Sequence, residues 1–237
     1  MLDTINKALA AVDYPTQPVG LYEPISYVLD MGGKRLRPTL LLMAYSLYKN
    51  DFETAMPAAI GIETYHNHTL LHDDLMDNAD MRRGRATVHK KWNDNTAILS
   101  GDTMLIMAFR HFMNCQNERT PEVLELFART AQEICEGQQY DVNFETRTDV
   151  TEAEYIEMIR LKTSVLLACA AKAGALLAGA PKEDAETTDK ATQTPATPRP
   201  PKANCWHTPS PDPHPPGWQN GRIPSPSQKS ARPASVP

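Results

Sequence analysis

From residue 2 to about residue 180, apolar side chains recur every three or four positions, alanine and leucine are frequent, and β-branched alternation is rare. That spacing belongs to amphipathic helices rather than strands. It predicts a helix over Leu2 to Val12 that stops before Pro15, and a second over Leu21 to Asp30 that ends at Gly32-Gly33. A third starts at Pro38, suited to a first helical turn, and runs to about Tyr48. A long fourth helix covers Met56 to about Asn78, and Arg82-Arg83-Gly84-Arg85 follows as a loop. Further helices are predicted over Asn95 to Cys115, Pro121 to Phe144 and Thr151 to Leu177, the last opened by a Thr151/Glu154 capping box. The fold class that results is an all-α bundle, in which sites are built between facing helices.

Composition limits where this pattern extends. Of the twenty prolines, fourteen lie from Pro181 onward, and no Phe, Tyr, Met or Leu follows Lys182. A stretch so poor in large apolar side chains cannot offset its own chain entropy. The expected organisation is therefore a helical domain over residues 1–185 and a disordered Pro/Ser/Thr-rich tail over 186–237. The formal net charge of −5 offers no basic footprint for nucleic acid. No run is long and apolar enough for a membrane span, and the N-terminus does not read as a signal peptide. Cys115, Cys135, Cys169 and Cys205 are scattered without a CxxC pair, and three of them fall in predicted helices, where buried thiols are expected. A reducing, cytoplasmic setting fits this usage.

The long fourth helix carries the candidate chemistry. At 100° per residue, His66, Asp73 and Asp77 fall within about 40° of one another, on a single stripe, with Asp74 at its edge. Three acids in five residues, Asp73-Asp74-Leu75-Met76-Asp77, end an otherwise apolar helix. Their mutual repulsion calls for a compensating cation, and Mg²⁺ favours one or two carboxylates completed by water and phosphate oxygens. Acid clusters alone are common on solvated helix ends; the apolar run leading into this one argues against that reading. Two basic segments flank it: Gly32-Gly33-Lys34-Arg35-Leu36-Arg37-Pro38 and Arg82-Arg83-Gly84. Arginine suits bidentate phosphate recognition and lysine serves as a point charge. No nucleophilic Ser or Cys stands beside a candidate base, which disfavours hydrolytic or redox chemistry.

The order GGKRLRP, apolar helix, DDxxD, RRG resembles the trans-prenyltransferases, the farnesyl and geranylgeranyl diphosphate synthase family, over about Leu21 to Pro181. The resemblance implies the isoprenoid-synthase helical bundle, Mg²⁺ as cofactor, and isopentenyl diphosphate and an allylic diphosphate as substrates. It implies that Lys34, Arg37, His66 and Arg83 receive the diphosphate of isopentenyl diphosphate and that Arg82 reaches the allylic diphosphate. Asp73, Asp77 and, as a third metal residue, Asp74 hold Mg²⁺. Lys162 and Thr163 match a Lys-Thr pair beside the allylic substrate, with Lys162 placed among the catalytic residues; Gln138 and Asp141 resemble polar cavity residues. A lone lysine on an amphipathic helix is otherwise most often solvated. Product length in the family depends on side chains just before the Asp box, here His68 and Thr69 with Tyr65 a turn deeper. Neither nearer position is aromatic, so short to medium chains are expected, twenty carbons ahead of fifteen. The family is also homodimeric.

The sequence departs from the family in one respect. A second Asp-rich box, usually preceded by Phe-Gln, is expected on a later helix, yet Asp73-Asp74 is the sole Asp-Asp pair in this sequence and no Phe-Gln occurs. The abrupt change of composition is most simply a shift of reading frame, with a genuine disordered extension as the alternative. With one acidic wall, the chain is expected to be poorly stable and to have little synthase activity. Two other readings compete. A catalytically inactive partner subunit would be expected to lose acids from the first box, and all three are present. A terpene cyclase would not need the GGKRLRP loop.

Overall fold

A computed structural model describes residues 1–193. Its helices are α1 (Leu2–Ala10), α2 (Val19–Leu29), α3 (Leu36–Ser46), α4 (Met56–Met76), the single turn α5 (Val88–Lys91), α6 (Asp94–Met113), α7 (Thr120–Phe144), α8 (Glu152–Ile159), α9 (Val165–Leu177) and α10 (Lys182–Gln193). The predicted all-α bundle is what forms, and most helix ends fall within two residues of those read from the sequence.

Three elements differ. The expected Arg82–Arg85 loop is a small antiparallel hairpin, β1 (Met81–Arg82) and β2 (Arg85–Ala86). Arg83 and Gly84 form its tight turn with φ of 52° and 78°, the left-handed pair that a two-residue hairpin requires. The single helix predicted from Thr151 to Leu177 is interrupted by a π turn over Arg160–Ser164, between α8 and α9. Its N-terminus carries the capping box as read: Thr151 N donates to Glu154 Oε2 at 2.8 Å, and Thr151 Oγ1 accepts from Glu154 N at 3.3 Å. Finally, helix α10 continues past the predicted end at residue 185. Ala185 packs into the main core, and Tyr48 Oη donates to Asp184 Oδ2 at 3.0 Å. One small apolar residue and a hydrogen bond suffice to hold a short helix that hydropathy alone would not place. The rest of the expected tail, residues 194–237, lies outside the described residues.

Helix α4 is the centre of the bundle. From Ala58 to Tyr65 every residue is buried, as expected of a helix that is apolar on all sides. The main core gathers around it from α1, α3, α6, α7 and α9, with the rings of Tyr65, Phe109 and Phe112 each in contact with Phe127. A second cluster, including Ile25, Val28, Leu71, Val88 and Met104, fills the space between α2, α4 and α6. Burying most of α4 leaves its C-terminal end, where the acids stand, as the part that opens to a cavity. Cys115 and Cys169 are buried as expected, but Cys135 faces out from α7. It occupies the polar side of that helix, a placement its residue type did not reveal. Cys205 lies outside the described residues.

Candidate active site

The GGKRLRP segment turns sharply between α2 and α3. Gly32 has φ of 74° and Gly33 of 151°, conformations that side chains with a Cβ adopt with strain. Gly33 has a second reason to lack a side chain: an added Cβ would stand 3.0 to 3.2 Å from the Arg83 guanidinium. The hairpin and the loop therefore meet at this glycine, bringing together cations fifty residues apart in sequence.

The loop's cations then divide. Arg35, itself left-handed with φ of 49°, turns inward. Its Nη1 lies 2.6 Å from Glu63 Oε1, with the two side chains 5% and 2% exposed; Nη2 donates to Leu29 O at 3.1 Å and Nε to Asn6 Oδ1 at 3.2 Å. Asn67 Nδ2 completes the shell of Glu63 through its carbonyl at 2.8 Å. Arg37 instead faces a cavity. Its Nη1 donates to His66 Nε2 at 3.1 Å, while its buried Nε has no partner among the described residues. Because arginine only donates, His66 accepts at Nε2 and carries its proton on Nδ1. Burial, then the charges of Arg37, Arg83, Arg82 and Arg35, push the His66 pKa down to about 3, so the ring is neutral near pH 7. Burial also draws the pKa values of Arg37 and Arg83 below the ordinary arginine value. A cavity of about 440 Å³ is lined by Gly33, Lys34, Leu36, Arg37, His66 and Arg83, with the Arg35–Glu63 pair at its wall. Cations around a neutral imidazole make a receptor for an anion.

The acid box borders a second cavity of about 120 Å³, which shares Arg37 and His66 with the first. Asp73, Gln138, Lys162 and Thr163 form its polar edge, and Leu70, Ile134 and Leu166 its apolar wall. The acids are not equivalent. Asp74 is buried, and Arg82 Nε reaches its two oxygens at 2.8 and 2.7 Å. Asp73 lies 3.7 Å from Arg82 Nη2 and accepts from Lys162 Nζ at 3.0 Å. Lys162 Nζ also donates to Asp141 Oδ2 at 2.5 Å. Asp77 follows the last residue of α4, and burial, then Asp73, raise its pKa.

Among the described residues, no group of three or more His, Cys, Asp or Glu stands close enough to hold a metal by itself. Asp73 and Asp77, one turn apart, nonetheless fit an ion that takes few protein carboxylates and completes its shell with water and phosphate. Asp74, counted with the metal acids from sequence, is the most buried of the three. Its carboxylate is engaged by Arg82, so it orients that guanidinium. Lys162 is no solvated lysine: it bridges Asp73 and Asp141, whose helices are far apart in sequence. Lys34, Arg37, His66 and Arg83 do come together, while Gln138 lines the second cavity and donates from Nε2 to Met76 Sδ at 3.7 Å. Sequence reasoning missed Glu63 and Asn67, which hold Arg35. The signal available was an acid buried in the middle of an apolar helix, demanding a cationic partner.

Residues 18–194 match the family described as polyprenyl synthetase. The chain is 49% identical over 173 residues to the geranylgeranyl diphosphate synthase of Methanosarcina mazei, covering 72% of this chain and 53% of that one. It is 41% identical over 202 residues to the geranylfarnesyl diphosphate synthase of Natronomonas pharaonis, covering 78% and 59%. A crystal structure of a geranylgeranyl pyrophosphate synthase superposes with a TM-score of 0.75 at 50% identity, over 81% of this chain and 57% of that one. The polyprenyl synthase of Caulobacter crescentus, solved with calcium and isoprenyl diphosphate, superposes at 0.74 with 28% identity over 81% and 57%. The chain thus spans a little over half the length of the curated relatives it matches. With the family match over most of its length and the motifs of that family gathered around two joined cavities, this chain belongs to the polyprenyl synthetase family.

Proposed function

We propose that this chain is a Mg²⁺-dependent prenyltransferase subunit that joins isopentenyl diphosphate to an allylic diphosphate, lengthening it by five carbons. The observation that carries this reading is the pairing of the two cavities. One is lined by four cations against the single carboxylate of Glu63, and the other by Asp73 and Lys162 beside an apolar wall, with Arg37 and His66 common to both. The first cavity receives the diphosphate of isopentenyl diphosphate at Lys34, Arg37 and Arg83, with neutral His66 donating through Nδ1–H or accepting from Arg37. The second receives the allylic diphosphate beside Asp73 and Asp77, with Arg82, held in place by Asp74, and Lys162 on its oxygens.

Mg²⁺, held at Asp73 and Asp77, supplies charge neutralisation of the leaving diphosphate. Cleavage of the allylic C–O bond leaves a carbocation and diphosphate. The double bond of isopentenyl diphosphate attacks that carbon, a C–C bond forms, and one proton is lost. The chain's own part is to fix both diphosphates by directed donors and to keep water from the cation with Leu70, Ile134 and Leu166. Thr69 lines the allylic cavity and Tyr65 lies buried one turn deeper, which favours short to medium products, with twenty carbons ahead of fifteen.

The sequence has one Asp-Asp pair, and elongation is expected to be slow compared with the full-length relatives. Among the described residues, α6 exposes Ile98, Leu99, Ile106 and Met113, an apolar face suited to a second copy of the chain. Light scattering at rising concentration tests the association. The function is tested by incubating the chain with isotopically labelled isopentenyl diphosphate, an allylic diphosphate and Mg²⁺, and by calorimetry with inorganic pyrophosphate. Metal-dependent pyrophosphate binding and slow label transfer are expected. No pyrophosphate binding with or without Mg²⁺ overturns the proposal.

A further inference from the structure

The acid wall is already neutralised in part from within the protein. Arg82 occupies Asp74, and the Lys162 ammonium lies between Asp73 of α4, at 3.0 Å, and Asp141 of α7, at 2.5 Å. A positive centre between carboxylate oxygens of two helices is the arrangement a divalent cation also seeks. The ammonium brings one charge to a neighbourhood of three acids, since Asp77 stands beside Asp73. The charge match is therefore incomplete.

The backbone delivers Lys162 to this point. Residues Arg160–Ser164 form the π turn, and Gly137 of α7 lies directly against it. A Cβ at 137 would stand 2.5 Å from the Lys162 backbone nitrogen and 2.8 Å from the Leu161 carbonyl carbon. Asp141 is one helical turn beyond Gly137, on the same face of α7. The close approach that glycine permits thus sets the distance over which the Lys162 side chain spans to Asp141 and Asp73. π turns are frequent where a helix must redirect a functional side chain.

We infer that Lys162 is an internal counter-ion of the ligand-free protein, competing with the divalent cation for Asp73 and releasing it when a diphosphate arrives to accept the ammonium. The inference rests on the metal–diphosphate reading of this site. Its consequence is a coupling: metal alone must displace Lys162, whereas metal with diphosphate offers Lys162 a new partner. Each ligand then tightens the other by the same factor.

The test titrates Mn²⁺ into the full 237-residue chain, alone and with inorganic pyrophosphate, for the wild type, Lys162→Met and Lys162→Arg. Lys162→Met should bind Mn²⁺ alone about five- to tenfold more tightly than the wild type, with the pyrophosphate enhancement reduced by at least a similar factor. Lys162→Arg keeps the charge and should restore weak metal-only binding. Equal or weaker Mn²⁺ binding by a folded Lys162→Met overturns the inference while leaving the metal site in place. Should that variant not fold, amine labelling of the wild type, read at Lys162 by mass spectrometry, decides. Labelling should quicken with Mn²⁺ alone and slow again with Mn²⁺ plus pyrophosphate; a rate unmoved by Mn²⁺ overturns the inference. If no variant binds Mn²⁺ under either condition, the metal–diphosphate reading itself falls, and the counter-ion role with it.

Discussion

The two cavities that meet at Arg37 and His66 are built on opposite principles. On the cationic side, the pair that shapes the loop, Arg35 and Glu63, is buried and satisfied, with further bonds to Leu29 and Asn6. That leaves Arg37 and Arg83 to face the cavity without a full counter-charge. On the acidic side the residues that would meet the ligand are themselves paired, Asp73 with Lys162 and Asp74 with Arg82. One receptor is preorganised and open in charge. The other is closed on itself and must exchange partners to work. The cost of binding is thus paid during folding on one side and at the moment of binding on the other.

The sharpest way to break this comparison is to remove the buried support of the cationic side. Arg35→Met strands Glu63, a 2% exposed carboxylate, and should cost about 3–5 kcal/mol of stability, read by urea denaturation. Arg35→Met combined with Glu63→Leu should recover most of it, because the unpaired charge is gone. Next in size is the acid wall. Asp73→Asn should weaken Mn²⁺ binding in the presence of pyrophosphate by about tenfold or more. Asp74→Asn should weaken it less, since its carboxylate holds Arg82. Calorimetry of the two variants separates a ligand from a positioning residue.

A comparable effect is expected at the open side, without metal. Arg37→Gln should weaken pyrophosphate binding about tenfold, the worth of one charge-assisted hydrogen bond. The smallest effect is one of pH. The pKa of half-buried His66 is depressed to about 3 and that of buried His68 to about 4, against an ordinary 6.5. The unfolded chain therefore binds more protons in that interval, so the stability these rings contribute is complete above about pH 6.5 and is lost as the pH falls toward 4 and 3. The urea midpoint should drop between pH 7 and pH 5, and His66→Gln should remove about half of that drop, leaving the share of His68. A midpoint that holds steady in the wild type contradicts the neutral imidazoles.

Much of this was legible along the chain because it is local. Helix positions follow from three- and four-residue spacing, the Thr151 cap from a four-residue pattern, and the turn at Gly32-Gly33 from its glycines. The common stripe of His66 and Asp73 needs nothing but the helical repeat. The π turn at Arg160–Ser164 was hidden, since its residues are ordinary helix formers and the distortion answers to Gly137 across the interface. Helix α10 was hidden for a related reason: Ala185 and Asp184 gain their hold from the main core and from Tyr48, just past the end of α3, which no count of local hydropathy includes.

The sequence by itself determined the all-α class, the acid box at the end of a buried helix, the cations before and after it, and through their order the family. It could not apportion those charges. Whether an arginine supports the fold or meets a ligand depends on which carboxylate lies opposite it, and Arg35 and Arg37, two residues apart, part company on that alone. Asp73, Asp74 and Asp77 differ for the same reason, one bridged to Lys162, one taken by Arg82, one left with its pKa raised. Pairing energies depend on distance and burial, and both are set by helices that meet across long stretches of chain. Only the tertiary structure decided them.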